Sequence, residues 1–221
     1  MSLDLTRREL LRIAAAAAAA WKAGPWVVRA PAAFAQTLPG DPVTVATLEA
    51  FADALIPGEK RSPDDRAIAG AAPGAGAVQA GALEMMSFPA AATGPALPGL
   101  AAGLNAHAVQ FAAENAIVLD PSVPPFVSLD FARRTTLLVQ ILDGTGPDQL
   151  AYFALAGIVF IAYHTAGFLH TTDALAAGHP GLVAIGFPLP QADGKWRFPE
   201  FSYRQVLAQT HPLTTRRGNP R

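Results

Sequence analysis

The chain has 221 residues, a formal net charge of -1 and no cysteine. Its length suits one domain once a leader is set aside, and its composition, 51% hydrophobic against 15% charged, excludes disorder through low hydrophobicity for most of the chain. Without cysteine there can be no disulfide framework, thiolate-ligated cluster or thiol nucleophile.

The first 35 residues stand apart. Arg7, Arg8, Arg12, Lys22 and Arg29 against Asp4 and Glu9 give them a net charge of +3, which leaves about -4 for the rest. Thr6-Arg7-Arg8-Glu9-Leu10-Leu11-Arg12 resembles the twin-arginine export consensus. A stretch from Ile13 to Trp21 follows, seven of its residues alanine. It is too short and too weakly apolar for a membrane span of ~20 residues. Ala33-Phe34-Ala35 supplies a small-x-small cleavage site, so Ala33 and Ala35 mark the cut and Gln36 becomes the new N-terminus. The expectation is a twin-arginine signal peptide over 1–35, read by the translocation machinery through Arg7 and Arg8, and a domain outside the cytoplasm. The acidic remainder lacks the lysine and arginine footprint that displaces phosphate counterions, so nucleic acid is not an expected partner.

Residues 36–43 read as a linker with Pro39, Gly40 and Pro42. A helix is expected over 44–56, where Val45, Leu48, Ala52, Leu55 and Ile56 recur at helical spacing before Pro57-Gly58. A polar loop, 59–66, and a glycine-rich stretch, 70–76, lead to a second helix over 77–87. Prolines and glycines break the chain over 88–99. A third helix is expected over 100–117, and a fourth over 129–142 with Ser128 as its N-cap.

The fifth, over 148–169, is the most apolar. Leu150 to Tyr163 is fourteen residues without a charged or strongly polar side chain, too short a run for a transmembrane span. An all-round apolar helix of that length reads as the buried centre of a bundle. After Thr171 the pattern dissolves into loops dense in aromatics: Phe187, Trp196, Phe198, Phe201 and Tyr203, with one short helix over 203–208. The expected architecture is all-α: an irregular bundle of about five helices with a central apolar helix and a loop-rich C-terminal segment. One helical domain spans 44–210, and residues 211–221 form a flexible tail.

Few residues point to chemistry. The five histidines, His107, His164, His170, His179 and His211, fall in no metal-ligand pattern, and none has another histidine four residues away. They are expected to be hydrogen-bonded or exposed. Gly70-Ala71-Ala72-Pro73-Gly74-Ala75-Gly76 lacks the preceding strand and closing lysine of a phosphate loop, and reads as a flexible lead-in to a helix. Asp64-Asp65 beside Lys60, Arg61 and Arg66 reads as a salt-bridged, solvated loop. No G-x-S-x-G elbow is present. No catalytic or metal-ligating residue is assigned.

Three segments carry a resemblance: Arg61-Ser62-Pro63-Asp64-Asp65-Arg66, the run Pro73-Gly74-Ala75-Gly76-Ala77-Val78-Gln79-Ala80-Gly81-Ala82-Leu83, and Gly178-His179-Pro180-Gly181 with Pro199-Glu200-Phe201-Ser202-Tyr203-Arg204. They resemble a bacterial domain family of unknown function, itself similar in outline to the small (gamma, or subunit 3) chain of gluconate 2-dehydrogenase-type complexes. Those chains also pair a twin-arginine leader with a body opening on a helix that ends in Leu-Ile-Pro, as Leu55-Ile56-Pro57 does here. Gly186-Phe187-Pro188 stands where that pattern has Gly-Tyr-Pro, and the insert from Leu189 to Lys195 departs from it.

The resemblance implies a non-catalytic subunit, with no cofactor of its own, exported together with a large FAD-dependent oxidoreductase of the glucose–methanol–choline class. Phe187, Trp196, Phe198, Phe201 and Tyr203 are the expected partner interface, because buried aromatics dominate interface energies. Two other readings stay open: a secreted binding protein whose bundle encloses a small ligand, and an enzyme using a histidine and a carboxylate distant in sequence.

Overall fold

The computed structural model describes residues 41–88, 93–146, 148–167, 169–190, 192 and 194. The signal peptide with Arg7, Arg8, Ala33, Ala35 and Gln36 lies outside the described residues. So do Trp196, Phe198, Phe201, Tyr203, the short helix over 203–208, His211 and the tail over 211–221.

The described residues are helical and contain no strand. Helix α1 is Pro42–Leu55, capped by Asp41, whose carboxylate accepts from the Thr44 backbone N–H at 3.0 Å and from its hydroxyl at 2.7 Å. The expected linker therefore ends two residues earlier: Pro42 sits in the first turn, where its missing N–H costs nothing. Helix α2 is Ala82–Ser87, shorter than expected because residues 77–81 form turns and Gly81 takes φ +85°. A 3-10 turn, Gly94–Ala96, leads into α3, Leu97–Glu114. Pro98-Gly99, expected to break the chain, instead opens this helix for the same reason as Pro42.

Helix α4 is a single turn, Pro125–Ser128, and α5 is Phe131–Asp143. The cap of α5 is Asp130, accepting from the Arg133 N–H at 2.9 Å, and not Ser128. Ser128 closes α4, and its hydroxyl oxygen caps no helix but accepts the Asp120 N–H at 2.6 Å. Helix α6 is Gln149–Thr165, α7 is Thr171–Ala176 and α8 is Pro180–Ala184. The last two stand where only loop was expected, because six- and five-residue helices are too short to show a period.

The core joins Leu48 and Phe51 of α1, Leu104 and Ala108 of α3, Phe126, Leu138, and Tyr152, Leu155 and Val159 of α6. Helix α6 packs against α1, α2, α5 and α8, yet it is not buried all round. Tyr152, Leu155, Ala156, Val159 and Ala162 face the core, while Leu150, Phe153, Phe160 and Ile161 are exposed. This corrects the expectation of a fully enclosed helix: the run is apolar on both faces, but only one face has neighbours. Among the described residues no helix is long and apolar enough to cross a membrane. The chain divides into two compact units, Met1–Ile185 and Gly186–Arg221.

Two glycines show how closely the helices meet. A Cβ on Gly103 would come within 2.7 Å of the Tyr152 hydroxyl, which donates to the Leu100 carbonyl at 2.9 Å. A Cβ on Gly181 would lie 1.7 Å from the Tyr163 carbonyl oxygen, so α8 can seat on the end of α6 only through a bare backbone.

Candidate functional site

The sequence assigns no catalytic residue, so the candidates are the places where folding gathers polar side chains. Three are present.

The first is buried. Asp53 interrupts the apolar run of α1 and is 1% exposed; Arg134 of α5 is 2% exposed. The Asp53 carboxylate accepts the Gly58 N–H at 3.2 Å and the Ala69 N–H at 2.9 Å, with the Arg134 guanidinium 3.9 Å away. Burial pushes this carboxyl up, and the N–H donors of Ala69 and Gly58 and the guanidinium oppose that. Arg134 donates to four carbonyls, those of Leu129, Ala67, Arg66 and Val127, at 2.5–2.9 Å. All six of these hydrogen bonds run to backbone. Its role is to fix the irregular segment 57–70 onto α1 and α5.

The second is the surface of that segment. Arg61 forks onto Glu49, at 2.5 and 2.7 Å, and also donates to Asp65 at 2.7 Å. Burial pushes the Asp65 carboxyl up, but Arg61 and the Ile68 N–H hold it below the usual range. Arg66 pairs with Asp120 at 2.9 Å. Of the salt-bridged cluster expected over 60–66, the Arg61–Asp65 pair forms within the loop, while Arg61 and Arg66 also reach outside it to Glu49 and Asp120. The glycine stretch, by contrast, is no loose lead-in. Gly76 lies against the backbone of Pro57 and Gly58, where a Cβ would come within 2.6 Å, and the strands of the loop are tied by Glu59 N–H to Gly74 and Ala77 N–H to Ile56. Gly76 serves this close approach of backbone to backbone, whereas Gly74 takes φ +81° with nothing within 4 Å of where its Cβ would be.

The second network lines an open cleft of about 350 Å³; the third, also at a cleft, is the one of the three that holds a histidine. His107 of α3 and Asp148, which precedes α6, are 41 residues apart and meet at 2.5 Å through Nε2 and Oδ2. The hydrogen bond from His107 holds the Asp148 carboxyl below its usual range. They edge a cleft of about 170 Å³ floored by Phe111, Leu137 and Ile141 and rimmed by Gln110, Glu114 and Gln140. The Tyr152 ring stands edge-on to His107 at 6.1 Å, and burial pushes its hydroxyl up to about 12. Chemically the pair can orient an imidazole and hold a proton. The described lining residues include no hydroxyl or thiol, and the cleft's ionisable side chains are His107, Glu114 and Asp148.

The remaining described histidines are placed individually. His164 lies beside the Phe160 and Tyr163 rings, and His170 contacts the Thr172 hydroxyl at 2.6 Å. His179 is buried and caps α8, its Nδ1 receiving the Leu182 N–H at 3.5 Å and its Nε2 facing the Ala80 carbonyl at 3.3 Å. Among the described residues no group of three or more metal-ligating side chains comes together. Of the expected interface aromatics only Phe187 is described; all five fall in the unit Gly186–Arg221.

The described residues form a small all-α domain with one buried network directed at its own backbone and two sets of side-chain pairs at its surface. Residues 42–221 match a family of unknown function (DUF5987), and the chain belongs to that family. No curated protein and no solved structure matches it. The segments singled out in the sequence have structural duties within this fold. Asp65 caps the backbone of Ala67 and Ile68, Gly76 makes the contact with residues 57 and 58, and Gly178-His179-Pro180-Gly181 ends α7, caps α8 and seats it on α6.

Proposed function

We propose that this chain is a non-catalytic accessory subunit that carries and stabilises an exported FAD-dependent oxidoreductase of the glucose–methanol–choline type. In this reading residues 1–35 are a twin-arginine signal peptide, cleaved after Ala35, that exports both chains together. FAD belongs to the partner.

One observation carries the reading. Phe187, Trp196, Phe198, Phe201 and Tyr203 fall within seventeen residues of one compact unit, Gly186–Arg221. Five aromatics so closely spaced in a stretch rich in proline and glycine are suited to anchoring a second chain, where each buried ring contributes ~2 kcal/mol or more. The resemblance to the small subunits of gluconate 2-dehydrogenase-type complexes supplies the kind of chain.

The test is co-expression with a signal-less flavoprotein encoded beside this chain. The two are expected to co-purify, with FAD, from the extracytoplasmic fraction. Changing Arg7 and Arg8 to lysine should hold both in the cytoplasm, since lysine's point charge does not reproduce the two guanidinium forks. Changing Trp196 and Phe198 to alanine should abolish co-purification while leaving helical content and Tm unchanged. A double variant that keeps its flavoprotein, or one that unfolds, would overturn the assignment of these rings.

A further inference from the structure

The outer face of α6 is apolar from end to end. Leu150 is 71% exposed, Phe153 59%, Phe160 43% and Ile161 47%. At 3.6 residues per turn these four fall on one stripe with Ala154, Gly157 and His164, opposite the stripe of Tyr152, Leu155, Val159 and Ala162 that meets the core. Gly157 is at its centre, and nothing lies within 4 Å of where its Cβ would be.

We infer that this face is a two-fold interface at which α6 crosses α6 of a second copy of the chain, centred on Gly157. The spacing argues for a copy. The stripe residues lie at three, four and seven positions on either side of Gly157, so an antiparallel crossing through it is self-complementary, as an isologous contact requires. Residues equidistant from the centre then face each other. Phe160 meets the second copy's Ala154, a large side chain over a small one, and Phe153 meets its Ile161. Leu150 meets its His164. The missing Cβ at the axis lets the two backbones approach.

The area is adequate. The exposed parts of the four large side chains amount to roughly 400 Å² per copy. With Ala154, Gly157 and His164 the pair reaches on the order of 1,000 Å², where specific interfaces begin. No like charges oppose one another, since the stripe carries no Asp, Glu, Lys or Arg. The inference is independent of the flavoprotein reading, which uses residues of the other unit.

The chain's lack of cysteine gives a direct test. In the purified full-length chain, Gly157→Cys places two thiols at the two-fold axis, within the Cα separation of about 4.4–6.8 Å that a disulfide needs. Mild oxidation should yield a covalent dimer, while Val139→Cys, exposed on α5, should stay monomeric. By sedimentation the unaltered chain should move from one chain's mass towards two as its concentration rises. Phe160→Glu and Gly157→Leu should each weaken that association by roughly tenfold or more with unchanged circular dichroism. A chain that keeps the mass of one copy up to ~100 μM overturns the proposal. So does cross-linking at Gly157→Cys no faster than at Val139→Cys. So does a Phe160→Glu variant that loses the flavoprotein from a wild-type chain that is otherwise monomeric, which would assign the face to that partner.

Discussion

Two regions of this domain invert what their compositions suggest. Segment 57–76 is polar, rich in glycine and proline and without regular structure, yet it is pinned from beneath by a buried ion pair that bonds its backbone at four points, Gly58, Arg66, Ala67 and Ala69. Helix α6 is the most apolar part of the described chain, yet half of its circumference faces outward. Composition reports what a segment can bury. Burial itself depends on whether a neighbour arrives. At 57–70 the neighbours are Asp53 and Arg134, reaching from α1 and α5. At α6 the neighbours cover one face and stop.

Removing Arg134 has the largest expected effect. Arg134→Ala would leave the Asp53 carboxylate buried beside an empty space and free four carbonyls at once. The expected loss is ~3–5 kcal/mol, the range for breaking a buried pair from one side. Urea unfolding followed by circular dichroism measures it. A loss under ~1 kcal/mol would mean that segment 57–70 is held by its surface ion pairs instead, which are worth little individually.

The two faces of α6 sharpen the other half. Leu155 is 1% exposed and Phe153 59%. Leu155→Ala should cost ~2–5 kcal/mol through lost contacts and a cavity, and Phe153→Ala no more than ~0.5 kcal/mol in the dilute chain. The larger residue should thus matter less. Equal losses in dilute solution would show that the outer face is covered within a single chain.

These cases also mark how far the sequence could be read. The helices over 42–55, 97–114, 131–143 and 149–165 were legible from apolar spacing and from Pro and Gly punctuation, to within a few residues. Their starts slipped because a proline can open a helix as well as end one, and because Ser128 and Asp130 are both plausible caps. The inner half of α6 was legible and its outer half was not, since a periodicity argument has no contrast to use where both faces are apolar. Asp53 left a trace, a lone charge amid Ala50-Phe51-Ala52 and Ala54-Leu55, the mark of a carboxylate with a buried partner. Nothing near Arg134, 81 positions on, identified it as that partner. The meeting of His107 with Asp148 was equally hidden, because it depends on how α3 crosses the turn before α6.

The smallest effect concerns His179, where a loop-like sequence conceals a buried titratable group. Burial holds its imidazole below the usual 6.5, against the hydrogen bond to Ala80. The cap geometry agrees: Nδ1 receives the Leu182 N–H, so a proton there would set two donors against each other. The unfolded chain therefore binds this proton more readily than the folded one. The contribution is complete above about pH 6.5 and is lost as pH falls through the lower folded value. Asp65, Asp120 and Asp148 are held below 3.8 and lose their contributions only at more acid pH, while the buried Asp53 carboxyl, pushed up, takes a proton more readily in the folded chain and so opposes the decline. The domain's Tm should decline between pH 7 and 5. His179→Asn, which keeps an N-capping oxygen but cannot titrate there, should flatten that decline while lowering Tm slightly at pH 7. An unchanged slope in the variant would mean that another group carries the proton, and that α8 tolerates a charged His179 at its N-terminus.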